Sequence, residues 1–125
     1  MKFQPALLIG LLSIGCTTGN SFPSQYANAY CSSIFSCVNT DSAEFEFLYQ
    51  YDNVAECKEE EESNYRSSSL YDSYEEGDLT FNKESAEECL SEMNEVRSDS
   101  DCDGDMNILT FFSDALSEEC ANVYE

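Results

Sequence analysis

The chain has no histidine and no tryptophan, only two prolines, and five lysines and arginines among 125 residues. Each shortage removes a class of function. Without histidine there is no imidazole to act as general base, to activate a serine or cysteine nucleophile, or to ligate a transition metal. With so few cations set against 26 acidic residues, and a net charge of −21, the chain has no footing on nucleic acid, whose phosphates are held by clustered Lys and Arg. An anionic membrane surface repels it for the same reason. Nor does any apolar run approach the ~20 residues of a membrane-spanning helix.

What is present begins with Lys2 and the uncharged run Ala6 to Leu12. That length suits the apolar core of a secretory signal, roughly 7 to 15 residues. Ser13, Ile14 and Gly15 lead into Cys16, and this junction resembles the lipobox of bacterial lipoproteins, whose cysteine is acylated and becomes the first mature residue. Gly15 matches the last position of that motif, while the leucine it prefers sits one place early, at Leu12. Residues 1–15 are therefore predicted to be a lipoprotein signal peptide and Cys16 the lipidation site. The alternative is ordinary signal cleavage, giving a secreted or periplasmic protein. Thr17 in place of Asp after the lipid site favours the outer membrane of a Gram-negative cell, by analogy with the usual sorting signal.

Cysteine arithmetic points the same way. Seven cysteines leave one thiol over in an exported chain. With Cys16 lipidated, Cys31, Cys37, Cys57, Cys89, Cys102 and Cys120 remain as an even set for disulfides in an oxidising compartment. Sequence does not choose among their pairings.

Residues 16–24 are rich in small polar side chains, with Gly19 and Pro23, and read as a flexible tether. Residues 25–125 read as one cysteine-rich helical domain. Tyr26, Tyr30, Ile34 and Val38 recur every fourth residue, placing an apolar stripe on a first helix. Cys31 and Cys37 on that helix lie about 9 Å apart at 1.5 Å per residue, beyond the ~7 Å reach of a disulfide. Each is expected to bridge to a different element.

Asp41 followed by Glu44 fits a capping box for a short second helix with Phe45, Leu48 and Tyr51 on one face. Asp52 or Asn53 caps a third, with Val54, Cys57 and Tyr65 inward and Glu59 to Glu62 in water. Residues 66–77 are ambiguous, with Gly77 as a stop. A short extended stretch, residues 78–82, leads to Asn82 as cap of a helix carrying Ala86, Cys89, Leu90, Met93 and Val96. A last helix places Leu109, Phe112, Leu116, Cys120 and Val123 in register. The expected fold is all-α, a small disulfide-stapled bundle of four to five helices.

The stretch GDLTFNKESAEECL (Gly77 to Leu90), with YCSSIFSC (Tyr30 to Cys37), AEC (Ala55 to Cys57), Cys102 and EECANVY (Glu118 to Tyr124), resembles a group of small six-cysteine bacterial lipoproteins. The matching residues are caps, core positions and cysteines, so the resemblance implies a fold and an envelope location without an activity. Members of that group often carry adjacent or additional cysteines and a terminal glycine, where this chain has single cysteines and Glu125, so no pairing is carried over.

One local stretch suggests ligand chemistry. In DSDCDGDMN, Asp99, Asp101, Asp103 and Asp105 alternate around Cys102 and Gly104, similar to an EF-hand or thrombospondin-type calcium loop. Position twelve, which a bidentate Glu should occupy, is Thr110. Calcium is the one cofactor this sequence suggests, in a weak extracytoplasmic site. Paired carboxylates suited to a glycosidase have no specificity among so many acids, and no enzyme is expected. Tyr49, Tyr71 and Tyr74 fall off the apolar stripes beside acidic residues and are candidates for a protein-contact patch. The function read from sequence is thus a non-enzymatic structural or interaction module of the cell envelope, joined to the membrane through Cys16 and facing an envelope or extracellular protein.

Overall fold

Phe22 to Cys37 contains no charged side chain, and Pro23 stands in its first turn, where a missing N–H leaves no bond unmade. This segment is α1 (Phe22–Cys37), the helix around which the rest is arranged. A computed structural model describes residues 17–125, so the predicted signal peptide and Cys16 lie outside the described residues. After α1 come α2 (Ala43–Leu48), α3 (Val54–Arg66), α4 (Ser69–Glu75), α5 (Lys83–Ser98), α6 (Ile108–Ala115) and a 3-10 turn (Glu118–Asn122). α1 packs chiefly against α3 and α5, and α5 in turn against the 3-10 turn and α6. The fold is the all-α, disulfide-stapled bundle the sequence predicts, with six α-helices among the described residues.

Each junction has a local cause. Ser42 accepts the amide of Phe45 at 3.2 Å, and Asn53 that of Glu56 at 2.9 Å. Ser68, Asn82 and Asn107 do the same for α4, α5 and α6. Such a cap is worth ~1 kcal/mol. The cap of α2 is therefore Ser42 and not the Asp41–Glu44 box, and the helix stops at Leu48, leaving Tyr51 outside it. α4, ambiguous in sequence, forms because Ser68 both caps Tyr71 and donates to the Tyr65 carbonyl at 2.6 Å. Gly77, at φ 89°, then ends that run in a conformation L side chains rarely adopt.

Three disulfides fasten the bundle: Cys31–Cys57, Cys37–Cys102 and Cys89–Cys120. The two cysteines of α1 reach different elements, as their spacing requires. Cys31 holds α3, and Cys37 holds the loop after α5. The extended stretch before α5 pairs with the last residues: Asn82 N–H donates to the Val123 carbonyl at 2.7 Å, and Thr80 and Glu125 exchange backbone bonds at 2.9 and 3.0 Å.

Two expectations about the ends of the domain need correction. The tether predicted for 16–24 is, over its described residues, part of the folded domain. Thr18 N–H donates to Ser21 Oγ and Ser21 N–H to Thr18 Oγ1, at 2.8 and 3.1 Å, and the helix begins at Phe22, which is fully buried. Small polar residues that look like linker composition are here a turn and a helix start. In α6 the buried face is Ile108, Phe111 and Ala115, whereas Leu109 is 59 % exposed. The helix ends at Ala115 and Ser117 is extended, so Cys120 and Val123 belong to a new segment and share no helical face with Leu109.

The core is aromatic. Rings run in contact from Tyr51 through Tyr49, Tyr30, Tyr26 and Tyr65 to Tyr124, which also touches Tyr71 and Tyr74, with centroids 4.9 to 6.4 Å apart. Separations and tilts in this range are the favourable ones for aromatic pairs. Phe22 and Phe81 add to the same cluster against Tyr124.

Candidate functional site

The acidic loop after α5 is folded by bonds between its own carboxylates and amides. The Asp99 carboxylate accepts the Asp101 amide at 3.1 Å, and the Asp103 carboxylate that of Asp105 at 3.0 Å. Asp105 accepts from Asn39 Nδ2 at 3.3 Å, and Cys102 is tied to Cys37. Short acidic side chains that bond the amide two residues on make local turns. The structure brings Asp99 and Asp101 to one depression with Glu92, Glu95 and Asp114, while Asp103 and Asp105 do not line it. Among the described residues, no three His, Cys, Asp or Glu side chains are grouped so as to hold a metal ion.

The tyrosines expected to form a contact patch belong instead to the core. Tyr71 is buried, its ring against Tyr74 and Tyr124, while Tyr49 is half-buried between Tyr30, Phe45 and Phe112. Their sequence positions fall off the helical stripes because α2 and α4 are short and end beside them, so periodicity within one helix does not apply.

Burial raises several other phenols of the cluster. It raises Tyr65 to about 12 and lifts Tyr26, Tyr30 and Tyr124 further above the ordinary phenol value of 10.0. In Tyr30 the hydroxyl contact with Tyr49 adds to burial. Tyr51 is raised first by burial and then by its hydrogen bond to Glu61, whose Oε2 accepts at 2.5 Å.

Arg66 is the cation most fully used by the fold. Its Nε pairs with Glu62 at 2.9 Å, Nη1 donates to the Tyr71 hydroxyl at 3.0 Å, and Nη2 donates to the Asn20 carbonyl at 3.0 Å. The guanidinium also sits 5.5 Å from the Tyr71 ring centre. One side chain thereby ties α3, α4 and the segment before α1 together, a structural role for a planar fork of donors.

A feature that sequence pattern does not announce lies beside α2 and the chain that follows it. The stretch EFEFLYQYD, Glu44 to Asp52, alternates carboxylates and aromatics, and the structure folds part of it around a small cavity of about 290 Å³. Phe45, Glu46, Tyr49, Tyr51 and Asp52 are among the residues that line it. The chain turns extended at Tyr49 where α2 ends, which carries Tyr51 and Asp52 alongside Phe45 and Glu46. Among the described residues, no helix is long and apolar enough to cross a membrane. Comparison of the chain with family models, with curated proteins and with solved structures finds no match.

Proposed function

We propose that this is a lipid-anchored cell-envelope protein, acylated at Cys16, whose folded domain works by presenting a surface and not by catalysis. The observation that carries the reading is the pairing of the domain's six cysteines among themselves, which leaves Cys16 as the odd one for another chemistry. The apolar run before it and the small residues Ser13 to Gly15 supply the context that acylation needs. The resemblance to small six-cysteine lipoproteins supports the same location, and Thr17 favours the outer membrane of a Gram-negative cell.

An interaction module also accounts for the composition. The net charge of −21 makes a field that repels anionic surfaces and draws cationic partners, and a disulfide-stapled scaffold holds the charged side chains in fixed relation. The membrane association rests on the acyl chain, since the protein's own surface has no affinity for anionic headgroups. Mass spectrometry of the native protein from the membrane fraction tests this. The expected product begins at Cys16 and carries a thioether-linked diacylglyceryl group and an amide-linked acyl chain; an unacylated N-terminus at another residue refutes it.

A further inference from the structure

We propose that the amide-linked acyl chain of Cys16 lies in a groove along the outer side of α5. One side of α5, with Ala86, Cys89, Met93 and Val96, is buried in the bundle. On another side Glu87, Leu90, Asn94 and Ser98 recur at steps of three and four and line one groove of about 500 Å³. At 1.5 Å per residue the stretch from Glu87 to Ser98 is about 16 Å long, enough for much of an extended fatty chain.

Away from α5, the described residues that line the groove are Thr17 and Gln25. Gln25 Nε2 donates to Thr17 Oγ1 at 3.3 Å, and Ser21 Oγ donates to Gln25 Oε1 at 3.1 Å, so Thr17 is fastened at the groove. Cys16 is one Cα step, about 3.8 Å, from that wall residue, and a group bonded to it starts at the groove.

The surface the groove offers is mostly carbon. Leu90 supplies part of it, and long side chains such as Gln25 and Glu87 add methylene stems beneath their polar tips. The depression beside the acidic loop is the reverse, mostly polar. Charge then decides which hydrocarbon fits. A free fatty acid brings a carboxylate, which Glu87 and Glu95 repel, whereas an amide-linked chain is uncharged. The diacylglyceryl group already supplies the two chains that stable anchoring takes, which leaves the amide-linked chain for another place. That chain is bonded to the Cys16 nitrogen and continues the main-chain line from Thr17.

This inference rests on the reading of Cys16 as acylated and deepens it by assigning one chain a seat on the protein. The test uses the full native lipoprotein in membranes of cells fed a fatty acid that carries a photoreactive diazirine. After irradiation, mild base frees ester-linked chains and leaves the amide-linked one. Mass spectrometry of the reduced, trypsin-cut protein is then expected to show the N-terminal peptide joined through that chain to the α5 peptide of residues 84–97. Leu90→Asn should lower the yield of this product about five-fold, since it puts an amide where the chain lies. Ser91→Asp, at an exposed position of the same groove, should lower it comparably, and it keeps the test open where Leu90→Asn fails to fold. Leu109→Asn, on the exposed side of α6, should leave the yield within about twofold. Acyl chains cross-linked only to phospholipid, or equally to every helix, overturn the groove and leave the acylation reading standing. A Cys16 without acyl chains overturns both.

Discussion

α1 and α3 lie against each other and share the Cys31–Cys57 bond, yet they are held in opposite ways. α1 has no charge and buries residues on most of its circumference, from Phe22 to Cys37. α3 carries five carboxylates and buries only Cys57. Glu56 and Glu60 stand four apart, a like-charge spacing that costs a few tenths of a kcal/mol, and so α3 has little intrinsic reason to be helical there. What keeps it in place is attachment at fixed points. Asn53 caps its start, Arg66 suits the negative end of the helix dipole and grips Glu62, Tyr71 and Asn20, and Cys57 bolts its buried side to α1. An acidic surface is thus carried on an apolar frame by covalent and capping contacts together with the partly buried Val54 and Tyr65.

The comparison can be broken in graded steps. The largest effect is expected at high pH, where the frame itself fails. Tyr26 of α1 and Tyr65 of α3 meet with ring centres 5.2 Å apart, and both are raised by burial. In the unfolded chain these phenols ionise near 10.0, whereas folded Tyr65 holds its proton to about 12. The folded state therefore binds more protons across that interval; stability is complete below pH 10 and falls as pH rises toward 12 and beyond. Helical circular dichroism should collapse in that window together with the rise of tyrosinate absorbance. Ionisation of Tyr26 or Tyr65 near pH 10 with the helices intact contradicts the buried aromatic frame.

Smaller and more local is the loss of one staple. Replacing both Cys31 and Cys57 by alanine should lower stability by ~2–4 kcal/mol in chemical denaturation. Hydrogen exchange should then show α3 opening well before α1, and equal loss of protection in both helices argues against a self-sufficient α1 and a fastened α3. Smallest is Asn53→Ala, which removes the cap on Glu56 and should cost ~1 kcal/mol, with the effect confined to the first turn of α3.

Where these residues act through short-range chemistry, sequence foretells them. The six-residue step from Cys31 to Cys37 is too long for one bridge, so double stapling of α1 is legible from spacing alone, and both bonds are present. The buried face of α5 is legible too, because its apolar residues are sparse and admit one stripe. In α6 apolar residues are dense. Ile108 and Phe111 make one stripe and Leu109 and Phe112 another, and only tertiary neighbours, such as Tyr30 against Phe111, decide between them. Tyr49, which caps the end of α2, and the tyrosines of α4 are misplaced by periodicity for a related reason, since a six- or seven-residue helix is too short to establish a face. The aromatic cavity is invisible to periodicity because its walls come from a helix, its cap and the following extended chain, which share no period.

The anchoring of residues 17–21 changes how a lipidated form of this protein would sit. Gly19 offers its carbonyl to the Tyr124 hydroxyl at 2.8 Å, and any side chain there would run into Tyr74, while Asn20 is gripped by Arg66. Thr17, the first residue past the proposed acylation position, is only 5 % exposed. With one Cα step of about 3.8 Å between that position and the packed domain, there is no leash. If Cys16 is acylated as proposed, the domain would be held close to the lipid surface with little volume to sweep above it.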